Sequence, residues 1–267
     1  MCNKIRFGYT HSGVFHADDV FSSALLRVIF PKITICRTFY PPKKKKGEIV
    51  FDIGMGEFDH HQPDNEVRPN GVPYASFGKL WRKFGSRVMT TEEGCQWMDE
   101  NLVQIIDNTD NTGQNNPLSS AISSLNLSWN EDRELEDQRF FEAVDIAEKI
   151  LRSYIRNFEN KQLGRQYVLA AYNLSDKNLV VLDRYIPYNE VLTLSNAKFV
   201  AYPSLRGGWS VQCVKDYYTG HSKQDLPVEW TDPENKVKGL TFCHTGLFLA
   251  TFTDKKSLIE AVNSLRQ

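Results

Sequence analysis

Thr10-His11-Ser12-Gly13-Val14-Phe15-His16-Ala17-Asp18-Asp19 is the stretch on which the fold turns. It follows an apolar run at residues 5–9 that reads as a β-strand, and it opens a helix over 17–30. In that helix Val20, Phe21, Ala24, Leu25 and Val28 fall at helical spacing, and Pro31 stops it. A short strand is predicted at 33–38 and another at 48–53, where Asp52 closes the apolar run Ile49-Val50-Phe51 ahead of Gly54 and Gly56. Helices are predicted at 72–84 and 91–107. Strand, helix, strand, strand, helix at these lengths predicts an α/β domain with a parallel sheet.

The text then changes. Apolar residues from Phe140 to Phe158 follow one or two long helices within 129–175, with Asn130 or its neighbours as candidate N-caps and Gly164 as a candidate break or kink. After them come short β-type runs at 179–182, 198–202, 209–214, 240–244 and 247–252, with a hairpin turn at Arg206-Gly207-Gly208. Asp254 stands where it would cap a last helix reaching Leu265. The expected organisation is an α/β domain at 1–128, a helical connector at 129–175 and a smaller β-rich α+β domain at 176–267.

The chain has 267 residues, 41% of them hydrophobic and 24% charged, which is ordinary globular composition and excludes a disordered chain. Lys+Arg number 32 and Asp+Glu 33, for a net charge of -1, so there is no overall basic field to hold nucleic acid and any such contact must be local. The five cysteines, at 2, 36, 95, 213 and 243, include no C-x-x-C pair, which argues against a disulfide framework or a thiolate zinc site and for a reducing compartment, the cytoplasm. No signal peptide and no membrane span is expected. The lysine run 43–46 reads as a solvated loop.

Four of the six histidines lie in the first 61 residues, each beside aspartates: His11 and His16 with Asp18 and Asp19, and His60 and His61 after Asp59. Asp107 and Asp110 stand one helical turn apart near the end of a later helix and share a face. In a parallel sheet, ligands bind outside the carboxyl ends of the strands, so the groups after the first and third strands reach one crevice. Imidazole and carboxylate without thiolate suit Mn²⁺, Mg²⁺, Fe²⁺ or Co²⁺, and a carboxylate such as Asp52 is able to bridge two ions. These histidines and aspartates are more candidate ligands than a single metal needs.

These same motifs, together with V-F-D-I-G, E-F-D-H-H-Q and I-D-N-T-D-N, resemble the successive motifs of the DHH phosphoesterase superfamily, and more closely its melanocyte-proliferating-gene branch. The likeness continues through Tyr74-Ala75-Ser76-Phe77-Gly78, Ser124-Leu125-Asn126 with Trp129, and residues 209–214, and so covers nearly the whole chain. It implies two divalent metals, Mn²⁺ or Mg²⁺, held by His11, His16 and Asp18 of the first motif, by Asp52 as the bridge and by His60. His61 then faces substrate as a catalytic group, and Asp107 or Asp110 supplies the last carboxylate. His16 departs from the superfamily's usual aspartate. Asp19 is read as a helix cap and Asp59 as a carboxylate that orients a histidine.

The implied activity is a metal-dependent phosphodiesterase or 3'-5' exonuclease acting on short or single-stranded RNA or DNA through a two-metal-activated water. Its alternatives are hydrolysis of a small phosphorylated metabolite, such as a nucleotide or pyrophosphate, and metal binding without catalysis. Arg37, at the end of the second strand, is a candidate phosphate clamp. His244, in F-C-H-T-G-L-F-L-A-T, is a candidate substrate contact in the covering domain. The family's glycine pair there is replaced by Ala250-Thr251, which alters how a phosphate chain would approach the backbone.

Overall fold

The structure is a computed structural model that describes residues 5–43, 45–63, 66–234 and 236–265; Cys2 and Lys44 lie outside the described residues. The chain divides into two compact units, residues 1–158 and 159–267.

The first unit is built on a three-stranded parallel sheet in the order β2-β1-β3, with β1 Phe7–His11, β2 Thr34–Thr38 and β3 Glu48–Val50. Helix α1 (Ala17–Ile29) starts where the sequence places it, because its stripe of Val20, Phe21, Ala24, Leu25 and Leu26 is completely buried. The sheet ends earlier than the expected strand at 48–53. Asp52 takes a left-handed φ of 53°, so the backbone leaves the sheet at that residue.

Helix α2 (Ser76–Phe84) begins four residues later than the sequence pattern indicates, since the residues before it form bends and an isolated bridge between Val67 and Pro73. The expected helix at 91–107 is α3 (Glu92–Met98), a π-helical turn at Asp99–Val103 and α4 (Gln104–Thr112), stopped by Gly113 at φ 68°. A short helix α5 (Pro117–Ser123) follows, capped by the Asn116 side chain. One apolar core, from Phe15 to Phe158, joins these elements.

Helix α6 (Glu136–Leu174) is a single element of 39 residues, and the division between the two units falls inside it. A 3-10 turn at Arg133–Leu135, capped by Asp132, a near neighbour of Asn130, leads into the helix. Gly164 does not break it. A Cβ there would stand 2.9 Å from Ile186 Cγ2, so the glycine serves close packing rather than a kink.

The second unit carries a five-stranded sheet in the order β4-β5-β6-β8-β7. Its strands are β4 Leu179–Val181, β5 Phe199–Pro203, β6 Trp209–Cys213, β7 Leu240–Cys243 and β8 Leu249–Phe252. β4 and β5 run parallel and the other pairs antiparallel. A four-residue helix, α7 (Asn189–Leu192), lies between β4 and β5, and the final helix, α8 (Lys255–Asn263), is capped by Asp254 as expected. The described cysteines 36, 95, 213 and 243 are all free thiols. No helix among the described residues is long and apolar enough to cross a membrane.

Candidate metal centre

The end of β1, the start of α1, the turn after β3 with residues 59–61, the start of α2 and the end of α4 bring their polar side chains together at the carboxyl edge of the parallel sheet. His11 Nε2 lies 3.3 Å from Asp52 Oδ2, and His60 Nδ1 lies 3.2 Å from Asp52 Oδ1. His60 Nε2 lies 2.8 Å from Asp110 Oδ2, and His60 Nδ1 is 3.8 Å from Asp18 Oδ2. Asp52 therefore stands between two imidazoles, and its left-handed backbone lies where the chain leaves the sheet for the D-H-H segment.

Each group is held from behind. Asp18 is fully buried, and its two oxygens accept the N–H groups of Ser76 (3.1 Å) and Phe77 (2.7 Å) at the N-terminus of α2, where the helix dipole also favours its charge. The Ser76 hydroxyl donates to Asp52 Oδ1 at 3.1 Å. Lys79, almost buried, donates to the Asp59 carbonyl at 2.7 Å and ties the D-H-H segment to α2. Asp59 accepts from Met55 N–H at 2.7 Å and pairs with His61 Nδ1 at 2.7 Å, the orienting role read from the sequence.

Burial and mutual repulsion dominate the electrostatics. Burial, reinforced by the charges of Asp52 and Asp110, lifts the Asp18 carboxyl well above its ordinary range. Burial lifts Asp19 to about 7, with His11 pulling the other way. Burial opposes a proton on His11, but its bond to Asp52 and the charges of Asp19 and Asp52 overcome this and raise it to about 9. His60 behaves alike: burial is outweighed by Asp110 and Asp52, and its pKa rises to about 11. Burial pushes Asp52 up, yet the bonds from His11 and His60 hold it well below the usual carboxylate range. Protons on histidine thus balance the buried carboxylates here, a task that divalent cations also fulfil.

Three overlapping groups could hold a metal ion: Asp18, His60 and Asp110; His11, Asp19 and Asp52; and Asp52, Asp59, His60 and His61. Within each, one ligand atom per residue lies within 4.8 Å of the others. The donors are nitrogen and oxygen only, which fits hard or borderline divalent ions. A cavity of about 600 Å³ opens on the cluster, with His16, His60, His61 and Asp110 in its wall. The rest of that wall is neutral, with Gln62, Thr109, Asn111, Ser119 and Ser123.

The remaining sequence candidates are placed differently. His16 is more than half exposed and lies 3.8 Å from Asp110 Oδ1. Asp107 is separated from Asp110: its carboxylate accepts Gly78 N–H at 3.0 Å and pairs with Arg68 Nη2 at 2.8 Å. Arg68 also pairs with Asp99 at 2.8 Å and lies over the Tyr74 ring. Gly78 is required for this arrangement, because a Cβ would collide with the Asp107 carboxylate.

Arg37, expected as a phosphate clamp, has a fully buried side chain committed to the protein. It pairs with Asp137 at 3.0 Å, donates to the carbonyls of Gly13 and His11, and lies over the Phe140 ring at 4.6 Å. It fastens the loop after β1 to the start of α6. In the second unit, His244 Nδ1 accepts Gly246 N–H at 2.9 Å and the ring stands 4.4 Å from Phe248. Sequence reading did not single out Arg68 or Lys79, because a lone basic residue in a polar stretch carries no signal of burial.

The first unit is thus an α/β domain with a buried histidine–aspartate cluster, able to hold metal ions, at the carboxyl edge of its parallel sheet. A family model for the MYG1 exonuclease proteins, described as an uncharacterised protein family (UPF0160), matches residues 9–264, and the chain belongs to that family. It is 24% identical to the human MYG1 exonuclease over 308 residues, covering 90% of this chain and 80% of that protein. It is 26% identical to the MYG1 protein of Chlamydia trachomatis over 283 residues, covering 95% and 94%. The Dictyostelium discoideum MYG1 protein is 22% identical over 315 residues, covering 97% and 96%. No solved structure matches the chain.

Proposed function

We propose that the protein is a divalent-metal-dependent phosphodiesterase, of exonuclease type, that hydrolyses phosphoester bonds of short or single-stranded RNA or DNA. The observation that carries this reading is the convergence of His11, Asp18, Asp52, His60 and Asp110, from four separate segments, beside one open cavity. The names of relatives as exonucleases support the reaction class. So does the motif resemblance to DHH phosphoesterases. Two ions, Mn²⁺ or Mg²⁺, would be held by His11, Asp18, Asp52, His60 and Asp110, with His16 at the rim. Bound there, they supply positive charge for the phosphate and an acidified water.

The protein's own groups do the rest. Ser76 and the first N–H groups of α2 fix Asp52 and Asp18, so the cage is set before substrate arrives. His61, oriented through Nδ1 by Asp59, keeps Nε2 for the leaving oxygen, to which it gives a proton. The cavity wall contains amide and hydroxyl groups but neither lysine nor arginine among the described residues, so it offers hydrogen bonds to sugar and base rather than counter-charge for a second phosphate. This favours a phosphodiester over pyrophosphate.

The test is hydrolysis of a single-stranded oligonucleotide, a mononucleotide and pyrophosphate under Mn²⁺ titration, beside Asp52→Ala. The expected result is shortening of the oligonucleotide, with both metal and turnover lost in Asp52→Ala. An Asp52→Ala protein with full metal content and full rate would overturn the reading.

A further inference from the structure

We infer that Asp19 is a direct ligand of the first ion, beside His11 and Asp52, and not only a helix cap; this rests on the two-ion reading above. The side chain is fully buried. One oxygen does the capping: Oδ1 accepts the His16 N–H at 2.8 Å. The other is left over. Oδ2 is buried without a hydrogen-bond donor, and it lies 3.5 Å from His11 Nε2, which itself lies 3.3 Å from Asp52 Oδ2.

A buried carboxylate oxygen without a donor is costly, and native folds keep one only where something else satisfies it. The other carboxylates of the cluster differ. Both oxygens of Asp18 are occupied by backbone N–H groups, and Asp52 takes the Ser76 hydroxyl. Asp107 Oδ2 also lacks a hydrogen-bond donor, but the Arg68 guanidinium stands 2.8 Å away. Among the described residues Asp19 Oδ2 has no such guanidinium against it: its ion-pair partner is the His11 imidazole at 3.5 Å, and His11, Asp19 and Asp52 together present three ligand atoms within 4.8 Å.

The charge count agrees. Asp18, Asp19, Asp52 and Asp110 each lie within 4 Å of His11 or His60, and four carboxylate charges are the number that two divalent cations neutralise. His16 is more than half exposed and belongs to none of the three ligand groups. With Asp19 in place of His16, the first site becomes richer in oxygen and better suited to Mn²⁺ or Mg²⁺ than to Zn²⁺.

The experiment is Mn²⁺ binding to the metal-free full chain, read by equilibrium dialysis and by the melting temperature with and without Mn²⁺. Asp19→Asn keeps an acceptor for the His16 N–H and removes the charge; Asp19→Ser does so with a smaller side chain, should the first variant fail to fold. The expected result is two ions bound by the parent chain. Either variant loses one ion, or binds it at least about tenfold more weakly. The metal-free melting temperature is unchanged or higher, because a buried charge has gone. Two ions bound with parental affinity by Asp19→Asn would overturn the assignment and leave a cap alone. A parent chain that binds no Mn²⁺ overturns the underlying two-ion reading, and the role of Asp19 falls with it.

Discussion

His60 Nε2 and Asp110 Oδ2 stand 2.8 Å apart, and that contact joins the D-H-H segment to the last turn of α4. Three residues earlier on the same helix, Asp107 faces the other way in energetic terms, bound to Arg68 and to the N-terminus of α2. The two aspartates therefore have separable roles. Asp110→Ala is expected to lose Mn²⁺ affinity and turnover, with a smaller loss of metal-free stability than Asp107→Ala, because Asp110 keeps some solvent contact and its partner His60 can give up its proton whereas Arg68 cannot. Asp107→Ala is expected to destabilise the chain by about 3 kcal/mol, because it leaves a buried guanidinium short of a partner. Thermal melts beside metal titrations separate the two; equal loss of stability in both variants would refute the division.

Arg37 offers a second contrast. As the buried fastener of the loop after β1, it should act on the position of His11 and not on phosphate affinity. Arg37→Ala is expected to lower stability by about 2 kcal/mol through its lost cation–π contact and hydrogen bonds, and to lower kcat with little change in KM. A large rise in KM at unchanged stability and kcat would restore the phosphate clamp that the sequence suggests.

The third expectation concerns pH in chelator-treated protein. His11 has its pKa raised from 6.5 to about 9 in the fold by Asp52 and Asp19, against the effect of burial. The proton favours the folded state, so this stabilisation is complete below pH 6.5 and is lost as pH rises through 9. The denaturation midpoint of the metal-free chain is therefore expected to fall between pH 7 and pH 9. His60, raised to about 11, adds to the same fall, so His11→Gln should make that part of the profile shallower, and a parental midpoint that stays level across the interval would contradict it.

The elements that sequence reading recovered are those whose burial is local. The helix that follows T-H-S-G-V-F-H-A-D-D is legible because Val20, Phe21, Ala24 and Leu25 make a continuous apolar stripe. The parallel sheet follows from strand and helix order. Boundaries that depend on distant partners were displaced. α2 starts at Ser76, where Asp18 from another segment receives its first N–H groups, and Gly164 sits in an unbroken helix because Ile186 approaches it.

What the amino-acid order determined by itself is the inventory: histidines and aspartates placed just beyond the carboxyl ends of predicted strands, with no thiolate among them. Periodicity and ligand chemistry are properties of neighbours along the chain, so they can be read without coordinates. Only the tertiary structure decided allegiance. It gave Asp110 to His60 and Asp107 to Arg68, committed Arg37 to Asp137 and Phe140, and left one oxygen of Asp19 buried without a donor. The physical reason is that hydrogen bonds and ion pairs act over about 3 Å between groups that the fold brings together, and spacing along the sequence does not encode which partner wins.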